Sequence, residues 1–477
     1  MGVLDGLPLP GFVLALLSDP FYGPVLGVWF FLELLFWAAC VQLRRKLDRI
    51  NTPPPYPMPK RELMHRVLGL VKDLGDDYPF DRFLSDWFIR APYEKLTVGS
   101  ARSFFSWALY AHREEDLSKA ESAELDELTV EAVAFAKAQG KPLKEGPKTE
   151  GIDHVDFTLR PLESVHRPLL WYAIVALKAK LSGAILLVNG FRRFEYDGLV
   201  YWHRDAADAG RPALDLEHPG HGRLPLVVFH GISSGIFLYL PMLLRYCGGR
   251  TAMIFEQPHI SMALDLAPPS RDAVVAAVEG ICRRHRVRRA AFLGHSFGSV
   301  PLAWMVDSGS SLVAQLLLLD PVSVMLAVPI VTLNFLYRRP RGLIQWLIYL
   351  AAASELGISY TLRRHFWWYQ NALWLDKVPK GVPVVFGLAG ADEVSPTAFI
   401  AKHALNVATR ENRGDAFKVL YWEGHSHGQL LITKSHQDQV LEAAFAQEVK
   451  YLPALKEAGS VDAAVAKQLM PEVVLSS

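Results

Sequence analysis

Hydrophobic and polar positions change their rhythm along this chain. From Tyr22 to Val41 nearly every position is apolar or aromatic, with Glu33 the only charge. Twenty helical residues at about 1.5 Å each reach across the roughly 30 Å hydrocarbon core of a bilayer, so the pattern predicts a transmembrane helix over 22–42. Glu33 near its middle costs about 2.5–3.5 kcal/mol on insertion scales, which the surrounding Trp, Phe and Leu outweigh. Pro20 and Pro24, beside a second apolar run at 11–17, keep a membrane hairpin or in-plane helix open. Residues 43–60 form a basic linker in which Pro53, Pro54, Pro55, Pro57 and Pro59 predict a stiff, extended spacer.

From 61 to 182 the spacing is helical. Leu63, Val67, Leu70, Val71 and Leu74 share one face, and Leu125, Leu128, Val130 and Val133 share another before Gly140 closes the run. Pro168 to Leu181 is apolar again, but Lys178 and Lys180 favour core packing or interfacial contact over a span. From 184 to 450 short apolar runs alternate with amphipathic stretches. Phe191 to Arg204 predicts a hairpin turning at Asp197-Gly198. Buried strands are predicted at 224–229, 251–255, 289–293, 314–319, 382–387 and 417–422. This alternation predicts an α/β unit with a mostly parallel sheet covered on both faces, followed by a C-terminal tail over 451–477.

Charge adds orientation and removes some functions. The chain has 477 residues, with Lys+Arg 50 against Asp+Glu 49, so no electrostatic case for nucleic acid arises. Arg44, Arg45, Lys46 and Arg49 follow the apolar run, whereas residues 1–41 contain no Lys or Arg. The positive-inside rule then puts residues 1–21 outside and the rest in the cytosol, as a single-pass membrane protein. A cleaved signal peptide wants its positive charge before the apolar run. Cys40, Cys247 and Cys282 are too scattered for a disulfide framework or zinc site; Cys40 at the membrane edge is either silent or an acylation site.

The chemistry gathers at strand ends. Gly294-His295-Ser296-Phe297-Gly298 follows a predicted strand and precedes a helical run, which is G-x-S-x-G in a strand–turn–helix context. The turn lifts the serine clear of the sheet, and the helix N-terminus favours a developing oxyanion. The nucleophile needs a base, and the base an acid, in the order Ser, Asp/Glu, His. Asp392 follows the 382–387 strand, with Asp320 and Glu393 as outsiders; Asp320 reads as a strand cap. After the last strand come His425 and His427. His427, before Gly428-Gln429-Leu430-Leu431, is the favoured base and His425 the alternative. Oxyanion N–H groups are expected from Phe297 and from Ile232 in the loop His230-Gly231-Ile232.

With these motifs in this order, residues 184–450 resemble the α/β-hydrolase superfamily, in the style of serine esterases and monoacylglycerol-lipase-like members. The resemblance implies an α/β-hydrolase fold with a helical cap, here at 322–381, and ester hydrolysis through an acyl-enzyme on Ser296. It implies no cofactor and no metal. An acyltransferase or transesterase on the same fold, or a non-catalytic lipid-binding scaffold, are the alternatives. A membrane lipid or another acyl ester is the expected partner, alongside the bilayer itself. Gln257-Pro258-His259-Ile260-Ser261 departs from the acidic, glycine-rich turn many members carry there. The cap is apolar, with Arg338, Arg339, Arg341, Arg363 and Arg364 interrupting it; these either face an anionic membrane or pack internally. An H-x4-D string, His203 to Asp208, matches an acyltransferase pattern no better than chance.

Overall fold

The alternation after residue 184 becomes one eight-stranded sheet. The computed structural model describes residues 22–50, 52–206 and 223–458. Its strands are β1 (Arg192–Tyr196), β2 (Leu199–Arg204), β3 (Leu226–Phe229), β4 (Ala252–Phe255), β5 (Ala290–His295), β6 (Val313–Leu319), β7 (Val384–Ala389) and β8 (Phe417–Trp422). They lie in the order β1-β2-β4-β3-β5-β6-β7-β8. The first two form the expected hairpin, with φ of 46° at Asp197 and 76° at Gly198, a turn whose twist suits the flanking strands. β2 meets β4 antiparallel, and the rest of the sheet is parallel.

Among the described residues, helices of seven or more residues are α1 (Tyr22–Leu47), α2 (Lys60–Leu74), α3 (Phe80–Trp87), α4 (Val98–Tyr110), α5 (Lys119–Ala138), α6 (Leu169–Val188), α7 (Leu240–Tyr246), α8 (Arg271–Arg284), α9 (Ser299–Asp307), α10 (Leu356–Arg364), α11 (Thr397–Arg410) and α12 (Lys434–Ala458). Successive strand residues feed opposite faces of the sheet. Val227 and Phe229 join a core with α8, α9, α11 and the cap, whereas Leu226 and Val228 join one with α7 and α12. Burial on both faces is why the central strands read as unbroken apolar runs.

The expected boundary at 182–184 falls inside α6, where Gly183 lies against the Trp202 indole. α12 likewise runs past residue 450, the expected start of the tail. Helices α2 to α5 share the core that lies on the cap side of the sheet. The proline stretch between α1 and α2 is packed rather than a free spacer. Tyr56 stacks on Tyr369 of the cap at 3.9 Å, and the Tyr369 hydroxyl donates to the Pro54 carbonyl at 3.0 Å.

α1 and α6 are both long and apolar enough to cross a membrane. Along α1 most side chains are exposed, but Glu33, Phe36, Cys40, Leu43 and Leu47 form a more buried stripe at helical spacing. Glu33 is therefore not the isolated charge the sequence implies. Its carboxylate accepts the Leu169 N–H, the first of α6, at 3.0 Å, and His166 Nε2 lies 3.1 Å away. A carboxylate at a helix N-terminus satisfies an orphan donor and complements the helix dipole. Beyond α1, the Asp48 carboxylate accepts the Leu162 N–H at 2.7 Å and the Arg364 guanidinium at 3.2 Å. Arg364 also donates to the carbonyls of Thr158 and Arg160. Arg363 pairs with Glu163, and Arg338 donates to the Glu393 carbonyl. Arg363 and Arg364, both nearly fully buried, are thus internal struts rather than a basic surface, and the half-buried Arg338 holds the segment of Glu393.

Arg364→Met tests this strut, which ties α1 and the 158–160 segment to α10. Removing the guanidinium leaves two carbonyls without this donor and the Asp48 carboxylate with the Leu162 N–H but no cation, so the variant is expected to lose about 3 kcal/mol of stability. Urea unfolding of the full chain in detergent measures it, and a loss below about 0.5 kcal/mol, the level of ordinary surface substitutions, would show that Arg364 ties nothing together.

Candidate active site

The first requirement is a turn tight enough to expose a hydroxyl. Ser296, directly after β5, has φ of 53°, a left-handed conformation that costs a non-glycine residue about 1–3 kcal/mol. Its flanking glycines have a steric reason. A Cβ on Gly294 would fall 2.5 Å from the Gly298 carbonyl oxygen, and one on Gly298 only 2.1 Å from that of Phe229. α9 begins at Ser299, so a helix N-terminus stands beside the serine.

The other two strand ends converge on it. After β7, the Asp392 side chain is fully buried; one oxygen accepts the N–H groups of Val394 and Ser395, both at 2.7 Å. Its second oxygen meets His427 Nδ1 at 2.7 Å. After β8, the loop brings His427 Nε2 to 2.9 Å from Ser296 Oγ. Glu393 accepts the backbone N–H of His427 at 3.0 Å, bracing the loop rather than the ring. His425 points elsewhere: its Nδ1 lies 2.9 Å from the Glu423 carbonyl and its ring packs edge-on against His436.

Burial alone would depress the His427 pKa. The adjacent Asp392 carboxylate, with Asp320 and Glu393 behind it, overrides that and raises the ring to about 9. Such a histidine is a strong base held in one orientation, able to take a proton from the serine as it attacks a carbonyl.

The His230-Gly231-Ile232 loop passes close enough that a Cβ on Gly231 would sit 2.8 Å from Ser296 Cβ. Ile232, Phe297, Ser296 and His427 line one cavity. Among the described residues no acceptor takes the backbone N–H of Ile232 or Phe297. The Gly231 N–H, by contrast, donates to the Tyr239 hydroxyl at 2.8 Å. Gln257, where the sequence departs from the family pattern, donates its side-chain amide to the His230 carbonyl at 2.5 Å and so supports the same loop. Apart from Thr332, the rest of the cavity wall is apolar and comes largely from the cap: Val331, Phe335, Leu336, Ile348, Leu362 and Phe366.

Sequence reasoning missed the network behind the serine. Asp320, 1% exposed at the end of β6, accepts the Ala389 N–H at 2.8 Å and the Gly428 N–H at 2.9 Å. His295 lies 3.8 Å from that carboxylate, and its Nδ1 is 2.8 Å from the Tyr239 hydroxyl. Asp320 caps more than its own strand: it fixes the ends of β7 and of the His427 loop. Burial works against its charge, but His295, His427 and the Gly428 N–H hold its pKa below the usual carboxylate value. The variable position of G-x-S-x-G being histidine, with an aspartate ending the next strand, was the available signal.

Donor atoms of Asp320, Asp392 and His427 lie within 4.8 Å of one another, a spacing that could hold a metal ion. Each group is already engaged in the hydrogen bonds above, so the set is better matched to proton handling than to ligation. Of the H-x4-D string, His203 stacks on His285 at 3.7 Å within the fold, and Asp208 lies outside the described residues.

No family model and no curated protein matches the sequence. Solved structures that are similar include a membrane phospholipase A described as a bacterial virulence factor, at 14% identity over 58% of this chain and 94% of that one, TM-score 0.39. A thermostable carboxylesterase, EstE1, from a metagenomic library shares 14% identity over 59% and 97%, TM-score 0.40. Naproxen esterase from Bacillus subtilis shares 10% over 57% and 97%, TM-score 0.37. What places this chain is its own sheet order, its antiparallel β2, the tight turn after β5 and the loops after β7 and β8. The chain has the α/β-hydrolase fold.

Proposed function

We propose that this protein is a membrane-anchored serine hydrolase that cleaves carboxylic esters, with lipid esters as the substrate class. The observation that carries the proposal is the continuous line from Asp392 through His427 to Ser296, with contacts of 2.7 and 2.9 Å. In this reading His427 removes the Ser296 proton as Oγ attacks the acyl carbonyl. The Ile232 and Phe297 N–H groups take the oxyanion, and His427 returns the proton to the leaving alcohol. Water, activated by the same histidine, then releases the acid. Asp392 holds the ring in the productive tautomer and stabilises its charged form.

The lipid assignment is supported by two features. The cavity beside Ser296 is walled by aliphatic and aromatic cap residues, which suit an acyl chain and offer little to a polar one. α1 is apolar and long enough to serve as an anchor, and the basic cluster at its end supports, by the positive-inside rule, a cytosolic folded part.

Two outcomes test this reading. Ser296→Ala should lower kcat on a short soluble ester by roughly four to six orders of magnitude, His427→Ala by a similar factor, and His425→Ala by no more than about tenfold. A Ser296→Ala protein that still turns over ester would end the proposal. The second outcome concerns pH. His427 must be neutral to act as base, so kcat/KM should climb through the alkaline range toward a midpoint near the raised pKa of about 9. Asp392→Asn removes the main charge that raises that pKa, and the rising limb should move to lower pH as activity falls. An unshifted limb in the variant would show that Asp392 does not hold the imidazolium.

A further inference from the structure

α6 has two opposed faces along its whole length. Val175, Ser182, Gly183 and Leu186 turn into the protein. Leu170, Ile174, Leu177, Leu181, Ile185 and Val188 are all exposed, and their spacing of three and four residues makes one stripe. A surface helix of a water-soluble domain shows the reverse arrangement, with polar residues outward. α6 is also a poor span. Its inner side rests on loops and a strand edge, including residues of the His230 and Glu256 segments that share a cavity with it. Irregular backbone of that kind is not tolerated against lipid at hydrocarbon depth.

Three observations identify what covers the stripe. First, α6 is joined to the apolar helix α1: Glu33 accepts its first N–H, and Phe36 packs edge-on against Tyr172 at 5.5 Å. Second, residues 164–194 contain no Asp or Glu, and although Arg167 is buried and Arg193 pairs with Glu256, Lys178, Lys180 and Arg192 leave a basic bias suited to anionic headgroups. Third, the apolar surface continues onto the cap. Arg167 donates to the Leu350 carbonyl, and Leu350 and Trp346 are exposed while Ile348 and Ala352 on the same stretch line the cavity of Ser296.

The geometry points to α6 lying in the plane of a membrane, its outer stripe embedded in one leaflet and Trp346 and Leu350 extending that surface over the cap. Glu33, fixed at the start of α6, then sits at the polar boundary of the leaflet. The helix beyond it, residues 22–32, reaches about 16 Å, half of the hydrocarbon core. The protein therefore enters one leaflet through its described residues, and a single cap segment separates lipid from the cavity of Ser296. The proposal concerns a surface and holds whether or not Ser296 is a nucleophile.

Depth measurement by site-directed spin labelling tests it without reading turnover. In a Cys40→Ser background, Leu170→Cys, Ile174→Cys, Leu177→Cys, Leu181→Cys, Ile185→Cys and Val188→Cys, made one at a time, each carry a nitroxide. The full chain is reconstituted in phosphatidylcholine–phosphatidylglycerol vesicles. Collision with oxygen is compared with collision with a water-soluble nickel chelate. All positions should favour oxygen and lie at one depth, roughly 5–10 Å below the headgroups and within about one helical pitch of 5.4 Å of each other. A depth that changes by about 27 Å from position 170 to 188 would mean a span. Nickel contact at every position would mean a water-facing helix. Exclusion of both reagents would mean that protein, such as a second copy of the chain, covers the stripe. Each of these three results overturns the proposal.

Discussion

The arrangement depends on how closely three backbone segments approach at one serine. Ser296 is held in a left-handed conformation, and three glycines make this possible: Gly294 and Gly298 in the turn and Gly231 in the neighbouring loop. Each leaves space that a single methyl group would fill, at distances real Cβ atoms do not adopt. The strain is maintained because β5 is central in a sheet buried on both faces, with parallel partners β3 and β6 on either side. A rigid sheet fixes where strands end, and residues bearing chemistry sit just past those ends. Ser296, Asp392 and His427 follow β5, β7 and β8 in turn.

Strand ends alone do not set a hydrogen-bond distance. The buried Asp320 carboxylate takes N–H groups from the end of β7 and from Gly428, next to His427. Tyr239 takes the N–H of Gly231 and meets His295. These polar groups sit where solvent cannot replace a lost partner, so each contact resists displacement more than the same contact at a surface. They lock the loop of Ile232 and the loop of His427 to the frame that holds Ser296. The cap is positioned by a different kind of strut: Arg363 and Arg364 bind Glu163, Asp48 and backbone carbonyls, outward from Leu362 and Phe366, which face the cavity.

Much of this was legible in the sequence. Strands buried on both faces read as apolar runs, the hairpin turn read from Asp197-Gly198, and His427 was distinguishable from His425 by the glycine and leucines that follow it. Local patterns do not encode pairings between distant segments, and those are what the sequence concealed. Glu33 looks like a costly charge until Leu169 is known to be its partner. The arginines of the cap look like a basic surface until Asp48 and Glu163 are placed beside them. Asp320 reads as an ordinary strand end because its ligands, Ala389 and Gly428, lie far along the chain. α6 was ambiguous because its lysines argue against a span and its composition against a surface helix in water; only its burial pattern separates the two faces.

If His427 and Asp392 act on Ser296, its hydroxyl is more reactive than that of an ordinary serine. A serine-directed fluorophosphonate carrying a mass tag, added to the full chain in detergent and followed by proteolysis and peptide mass mapping, reads this directly. A single adduct is expected, at the side chain of Ser296, formed faster as pH rises toward the alkaline range. An unmodified Ser296 under conditions that label other serine hydrolases, or an adduct on a different residue, would contradict it.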